Sequence, residues 1–193
     1  RKRNVEALLR LAMDRLREAG RPVHIVDIAA GHGRYILEAL QQVDQRPESI
    51  LLRDYSPLNV QQGTALIQEK GLGDIARFVQ GDAFDRPSLA TLEQPPTLAV
   101  VSGLYELFAS NTLVSNSLAG LAQAMEDGGY LVYTGQPWHP QLEMIARALT
   151  SHRGGEAWVM RRRSQAEMDQ LVEAAGFRKV TQRIDEWGIF SVS

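Results

Sequence analysis

The sequence contains no cysteine. That excludes disulfide bridges, thiolate metal sites and a cysteine nucleophile. No apolar run approaches the ~20 residues that a membrane-spanning helix requires. A dominant charge is lacking too: 21 Lys and Arg stand against 23 Asp and Glu, a net charge of −2, so nothing supports general nucleic-acid binding. No residue set has metal-ligand spacing, and no metal is expected. The chain opens Arg1-Lys2-Arg3 rather than with methionine, which suggests a domain cut from a longer protein. No secretion-signal pattern stands out, so a cytoplasmic enzyme is the expectation. What is present is ordinary: 193 residues, 44% hydrophobic and 23% charged, enough for one good core.

A third glycine is also missing. The mostly apolar run from Val23 to Ile28 climbs to Asp27, and Gly31-His32-Gly33 follows. Helical spacing then begins at Tyr35. This pattern reads as strand, tight turn, helix. Gly31 and Gly33 permit positive φ and let a ligand approach bare backbone, and the helix beyond offers unpaired N–H groups. A dinucleotide fingerprint would place a third glycine where Ile36 stands, for close packing beside a pyrophosphate. Asp27, at the strand tip, suits a cationic ligand better than a pyrophosphate. The bland alternative is an ordinary βα turn.

The rest of the chain alternates. Residues 4–19 carry Val5, Leu8, Leu9, Ala12, Met13 and Leu16 at helical spacing, stopped by Gly20 and Pro22. Strand one covers Val23–Ile28, and the next helix runs from about Arg34 to Gln42. Strand two, Ile50 to Ser56, includes Asp54, 23 positions after Gly31. That is close to the ~20 expected of a carboxylate that takes ribose hydroxyls. Ser56-Pro57 opens a helix as N-cap and first residue. Strand three is Ile75–Gln80, followed by Gly81-Asp82-Ala83. Asp82 is either an adenine-amine acceptor or a helix cap. Thr97–Ser102 is apolar enough to be a strand buried on both faces, and Gly103-Leu104-Tyr105-Glu106 follows it. A helix over Leu113–Met125 leads to strand five, Tyr130–Thr134. The loop Gly135-Gln136-Pro137-Trp138-His139-Pro140 has the composition of a structured pocket wall. A helix near Gln141–Thr150 comes next. Ser164 and Glu167 mark a capping box, and the last two strands are expected at Phe177–Ile184 and Gly188–Val192.

Asp27, Gly31, Asp54, Asp82 and Ser102 fall in order at successive strand ends. In that order the chain resembles the class I S-adenosylmethionine-dependent methyltransferases, with Ala29 where their first motif usually has glycine. The phrases VDIAAGHGRY, LLRDYSP, VSGLYELF and TGQPWHPQLE look like bacterial methyltransferase domains that often sit C-terminal to an α/β-hydrolase domain. The resemblance covers nearly the whole chain. It implies one α/β domain over residues 1–193: a Rossmann-like, seven-stranded, mostly parallel sheet with helices on both faces and an antiparallel C-terminal strand. It implies S-adenosylmethionine as cofactor, held by Asp27, Ala29, Gly31, Gly33, Asp54, Tyr55, Asp82, Ala83, Ser102 and Gly103. A fused hydrolase domain is the partner it suggests.

Tyr105, Trp138 and His139 are then expected to face the methyl acceptor, with Glu106 or Tyr105 as the catalytic group if the acceptor must lose a proton. Glu106 has a plain alternative as an acid at a helix start, and His139 as a structural hydrogen-bonder. Arg153 and Arg161–Arg163 are either a solvated cluster or a seat for an anionic acceptor, which would suit a small molecule or lipid head group. Two rival functions stand beside this one: a regulatory module that binds the cofactor without turnover, and a nucleotide-dependent oxidoreductase.

Overall fold

In the computed structural model, which describes residues 1–40, 43, 45–151 and 155–193, a sheet grows outward from one central strand. In chain order the elements are α1 (Lys2–Glu18), β1 (His24–Asp27), α2 (Arg34–Ala39), β2 (Ser49–Asp54), α3 (Pro57–Glu69), β3 (Ala76–Gln80), α4 (Arg86–Ala90) and β4 (Leu98–Val101). A 3-10 turn at Tyr105–Leu107 follows, then α5 (Asn111–Ala124), β5 (Tyr130–Gly135), α6 (Leu142–Ala148), α7 (Gln165–Ala174), β6 (Arg183–Ile184) and β7 (Ser191–Val192). The seven strands lie in the order β3-β2-β1-β4-β5-β7-β6. The first five are parallel, and β7 runs antiparallel between β5 and β6. The expected sheet is therefore present.

Helices cover both faces because alternate strand residues are apolar on both sides. Ile25, Ile50, Leu98 and Val100 join a core with α1, α2 and α3. Val26, Ala99, Val101 and Tyr133 join a second core with α4, α5 and α7. The α1 stripe predicted from its spacing is the buried face. Each such leucine withdrawn from water contributes about 1.5–3 kcal/mol. Ser56 caps α3, with Pro57 as its first residue, and Asp85 caps α4 by accepting from Ser88 N–H at 3.1 Å. Ser164 caps α7 through Glu167 N–H at 3.1 Å. The Glu167 carboxylate accepts instead from Arg161 and Asn111.

The C-terminal strands are shorter than expected. Phe177–Ile184 is mostly irregular, and only Arg183–Ile184 pairs, opposite Ser191–Val192. Asp185 sets the reversal: its side chain accepts from Ile189 N–H and Phe190 N–H, at 2.9 and 3.2 Å. The expected end of α2 at Gln42 lies outside the described residues.

Strand order reverses between β1 and β4. From β1 the chain steps outward to β2 and β3, then returns to the other side for β4 and β5. Such a switch point leaves a crevice beyond the carboxyl ends of the strands, where open α/β sheets bind ligands.

Candidate functional site

The turn after β1 rises at this crevice. Gly31 has φ +58° and Gly33 has φ +73°, while every described non-glycine residue, Ala29 included, keeps φ negative. The departure at Ala29 is therefore accommodated. The two glycines serve different ends. A Cβ on Gly33 would lie 2.5 Å from Leu52 Cδ1, so this glycine lets the turn press onto β2. A Cβ on Gly31 would meet nothing within 4 Å. Gly31 thus presents open backbone.

Asp27 ends β1 fully buried. Its Oδ1 accepts from Ala29 N–H at 3.1 Å and its Oδ2 from the Tyr35 hydroxyl. Burial pushes its pKa up to about 7, the two hydrogen bonds oppose that rise, and neighbouring Asp54 adds to it. Both partners are neutral and the charge acting on Asp27 is another acid, which is the environment a cationic ligand group would relieve. Tyr35 carried no signal of its own in the sequence. Burial raises the pKa of its hydroxyl, and Ser102 beyond β4 acts the other way.

Asp54 ends β2 and fastens the turn: its Oδ2 accepts from Gly31 N–H at 2.9 Å. Its Oδ1 accepts from Ser56 N–H and Asn59 Nδ2, both at 2.9 Å. Tyr55, the next residue, is 75% exposed. After β3, Asp82 is exposed, its Oδ1 accepting from Phe84 N–H at 2.8 Å, while Ala83 is buried. Beside it stands a residue that the motifs do not include. Arg53 is buried, bonds Ser88 Oγ at 2.7 Å, and would collide with any Cβ on Gly81. An arginine inside an apolar strand was the available signal.

Beyond β4, Gly103 N–H donates to Thr134 Oγ1 at 2.8 Å, joining the ends of β4 and β5. Tyr105 departs from expectation. It lies in the core, with its hydroxyl 3.0 Å from Ser117 Oγ on α5, because its ring completes the apolar cluster under that helix. Glu106 is buried, and its Oε2 has no hydrogen-bond partner. Arg1 lies 3.8 Å from its Oε1, and burial raises its pKa despite Arg1 and Arg163 nearby.

The arginine cluster is also corrected. Arg163 is buried and donates to Tyr105 O at 2.6 Å, Phe108 O at 2.8 Å and Asn111 Oδ1 at 2.8 Å. Arg161 donates to Ala109 O and Glu167, both at 2.5 Å. Their planar forks fix the chain after β4 rather than await an anion. Arg162 remains exposed, and Arg153 lies outside the described residues. In the loop after β5, Trp138 is 47% exposed. His139 Nδ1 accepts from Gln141 N–H at 3.1 Å, which is its structural alternative. A cavity of about 530 Å³ lies elsewhere, against α1, the start of β5 and residues 175–181, away from the crevice.

Against known proteins, residues 1–193 match the model of the family described as "Putative methyltransferase". The chain belongs to that family. It is 60% identical over 193 residues to the uncharacterized protein YnbC of Escherichia coli (strain K12), covering all of this chain and 33% of that protein. The chain thus spans a third of that relative's length. Solved structures share the family's fold. An O-methyltransferase family protein from Burkholderia thailandensis matches with TM-score 0.69 at 15% identity, over 97% of this chain and 56% of that one. Human N-acetylserotonin methyltransferase, solved in complex with SAM, matches with TM-score 0.63 at 15% identity, over 88% of this chain and 46% of that one. Among the described residues no helix is long and apolar enough to cross a membrane, and no cluster of potential ligands could hold a metal ion.

Proposed function

We propose that the crevice at the β1/β4 switch point binds S-adenosylmethionine and that the protein transfers its methyl group to a small-molecule acceptor. The observation that carries this is Asp27: a buried carboxylate whose partners are neutral, beside a turn that is bare at Gly31. The residues present fit the group. Asp27 and the Gly31 backbone would hold the methionine end, with Ser102 and Gly103 across the crevice. Asp54 has two oxygens with about four acceptor positions, of which Gly31, Ser56 and Asn59 take three. A ribose hydroxyl can take the remaining one. Asp82 and the N–H of Ala83 would meet the adenine edge. Membership of a methyltransferase family and the SAM complex of a fold relative support the same assignment.

Once bound, the sulfonium supplies an already activated methyl group. The chain has then to align the acceptor, exclude water and take up any proton the acceptor loses. Glu106 is placed to take up that proton, because its Oε2 is buried and unpartnered, three residues past the β4–β5 junction at Gly103–Thr134. Burial holds its pKa above the ordinary carboxylate range, which favours proton uptake from an acceptor hydroxyl or amine. Trp138 would form the apolar wall across from it.

Titration calorimetry with S-adenosylmethionine, S-adenosylhomocysteine and NADH tests the cofactor. Saturable binding of the first two, and none of NADH, is expected; the reverse overturns the assignment. Methyl transfer is then tested with labelled cofactor over a panel of hydroxyl and amine acceptors. Tight cofactor binding without turnover over the whole panel would favour a regulatory module instead.

A further inference from the structure

The hydroxyl of Tyr35 lies where two strands part. It donates to Asp27 Oδ2 at the end of β1, and Ser102, just past β4, is near enough to hold its pKa down. Asp27 and Val100 are register partners, so the hydroxyl sits at the switch point itself. Tyr35 comes from α2, one residue before the position where a dinucleotide fold would have its third glycine. In that fold the position brings helix close to strand. Here the helix carries a phenol over the strand end instead.

A carboxylate buried among apolar groups stays ionised only if something donates to it. The groups acting on Asp27 are few. Ala29 N–H bonds Oδ1, and Tyr35 bonds Oδ2. Asp54, on β2, disfavours its ionisation. Arg1, at the start of the chain, acts on Tyr35 and is itself engaged near Glu106 and over the Phe190 ring. The Tyr35 hydroxyl is thus the one side-chain donor on Asp27 among the described residues.

We propose that Tyr35 is a positioning residue: its hydroxyl orients the Asp27 carboxylate and favours its ionised form, ready to receive the α-ammonium group of the bound amino-acid moiety. This rests on the cofactor assignment above and adds to it a determinant of which part of the ligand is read, and at what pH. The contribution is specific to the ammonium. A ligand with the same nucleoside but no amino-acid end has nothing to gain from Tyr35.

The test uses two ligands. S-adenosylhomocysteine carries the ammonium and no sulfonium; 5′-methylthioadenosine carries neither. Affinities of the wild-type protein, Tyr35→Phe and Asp27→Asn are measured by calorimetry from pH 5.5 to 8.5, with circular dichroism as the check on folding. In wild type, S-adenosylhomocysteine affinity rises with pH as Asp27 ionises. Tyr35→Phe weakens it at least tenfold at pH 7 and moves the midpoint of the rise to higher pH. Its affinity for 5′-methylthioadenosine stays within twofold of wild type. Asp27→Asn flattens the pH dependence, which keeps the proposal testable should Tyr35→Phe fold poorly; a rise retained in Asp27→Asn overturns it. Equal losses for both ligands, or an unmoved midpoint in Tyr35→Phe, also overturn it while leaving the cofactor assignment standing. A wild-type protein that binds neither ligand removes both.

Discussion

The backbone N–H of Gly31 donates to Asp54 Oδ2 at 2.9 Å, across 23 residues of sequence. One carboxylate therefore shapes the turn after β1, starts α3 through Ser56 and Asn59, and still has room to accept from a ligand. Its loss should be felt twice. Asp54→Ala is expected to weaken S-adenosylmethionine binding by ~1–3 kcal/mol, and to lower stability by about 1 kcal/mol because part-buried N–H groups lose their acceptor. Calorimetry reads the first and urea unfolding the second. A stability loss with unchanged affinity would reduce Asp54 to a scaffold for the turn.

Gly31 and Gly33 should separate binding from folding. At Gly31 the added Cβ meets only open space, so the cost of Gly31→Ala is chiefly that of its left-handed backbone, roughly 1–2 kcal/mol. At Gly33 the same conformational cost is joined by a 2.5 Å approach to Leu52. Gly33→Ala should therefore lower the unfolding midpoint more than Gly31→Ala. Gly31→Val, which fills the open side of the turn, should abolish cofactor binding while strands and helices persist. Affinity within twofold of wild type in Gly31→Val would remove this turn from the site.

The sheet was legible because its signals were local. An apolar run ending in an acid, a glycine turn and a capped helix recur, and each strand-end acid could be placed from spacing alone. What escaped were contacts between distant segments. Tyr35 looks like one more residue of a helical stripe until the turn folds its hydroxyl back onto Asp27. Arg161 and Arg163 look like a basic patch until the chain folds back onto the carbonyls of Tyr105, Phe108 and Ala109. Tyr105 follows a strand end, as an acceptor-facing residue should, but the 3-10 turn rotates it toward Ser117. The extent of the last strands was also overstated, since most of residues 177–184 form an exposed irregular segment.

Asp27 should leave a signature in stability against pH. Its carboxyl titrates at about 7 in the folded protein, raised by burial from an ordinary aspartate value of 3.8. Between these two values the folded state holds a proton that the unfolded chain has released, so unfolding becomes easier as pH rises. The contribution is fully present below the lower value and lost once pH passes the upper one. The whole interval corresponds to about 4 kcal/mol. Asp27→Asn lacks this titration. The stability of wild type relative to Asp27→Asn should fall from about pH 4 to about pH 7 and then level off, measured by urea unfolding in buffers of equal ionic strength. A difference that stays flat would mean that Asp27 is ionised throughout.

Glu106 and Trp138 carry the prediction about chemistry. Glu106 has a buried, unpartnered oxygen, and its pKa is raised by burial. As the group that takes the acceptor's proton, it must be ionised to work, so turnover should rise with pH through that elevated pKa. Glu106→Gln removes proton uptake while nearly preserving shape. It is expected to cut methyl transfer at least about tenfold, or 1.4 kcal/mol of transition-state stabilisation, with cofactor affinity within twofold. Trp138 is 47% exposed, so its replacement leaves no cavity in the core. Trp138→Ala should change stability by no more than about 0.5 kcal/mol. Its effect should appear as a raised KM for the acceptor, because an apolar wall binds ground state and transition state alike. Steady-state kinetics with a responsive acceptor separate the two roles. Equal effects of both variants on kcat would place Trp138 in the chemistry as well, and an unchanged kcat in Glu106→Gln would mean that the acceptor reacts without giving up a proton to this residue.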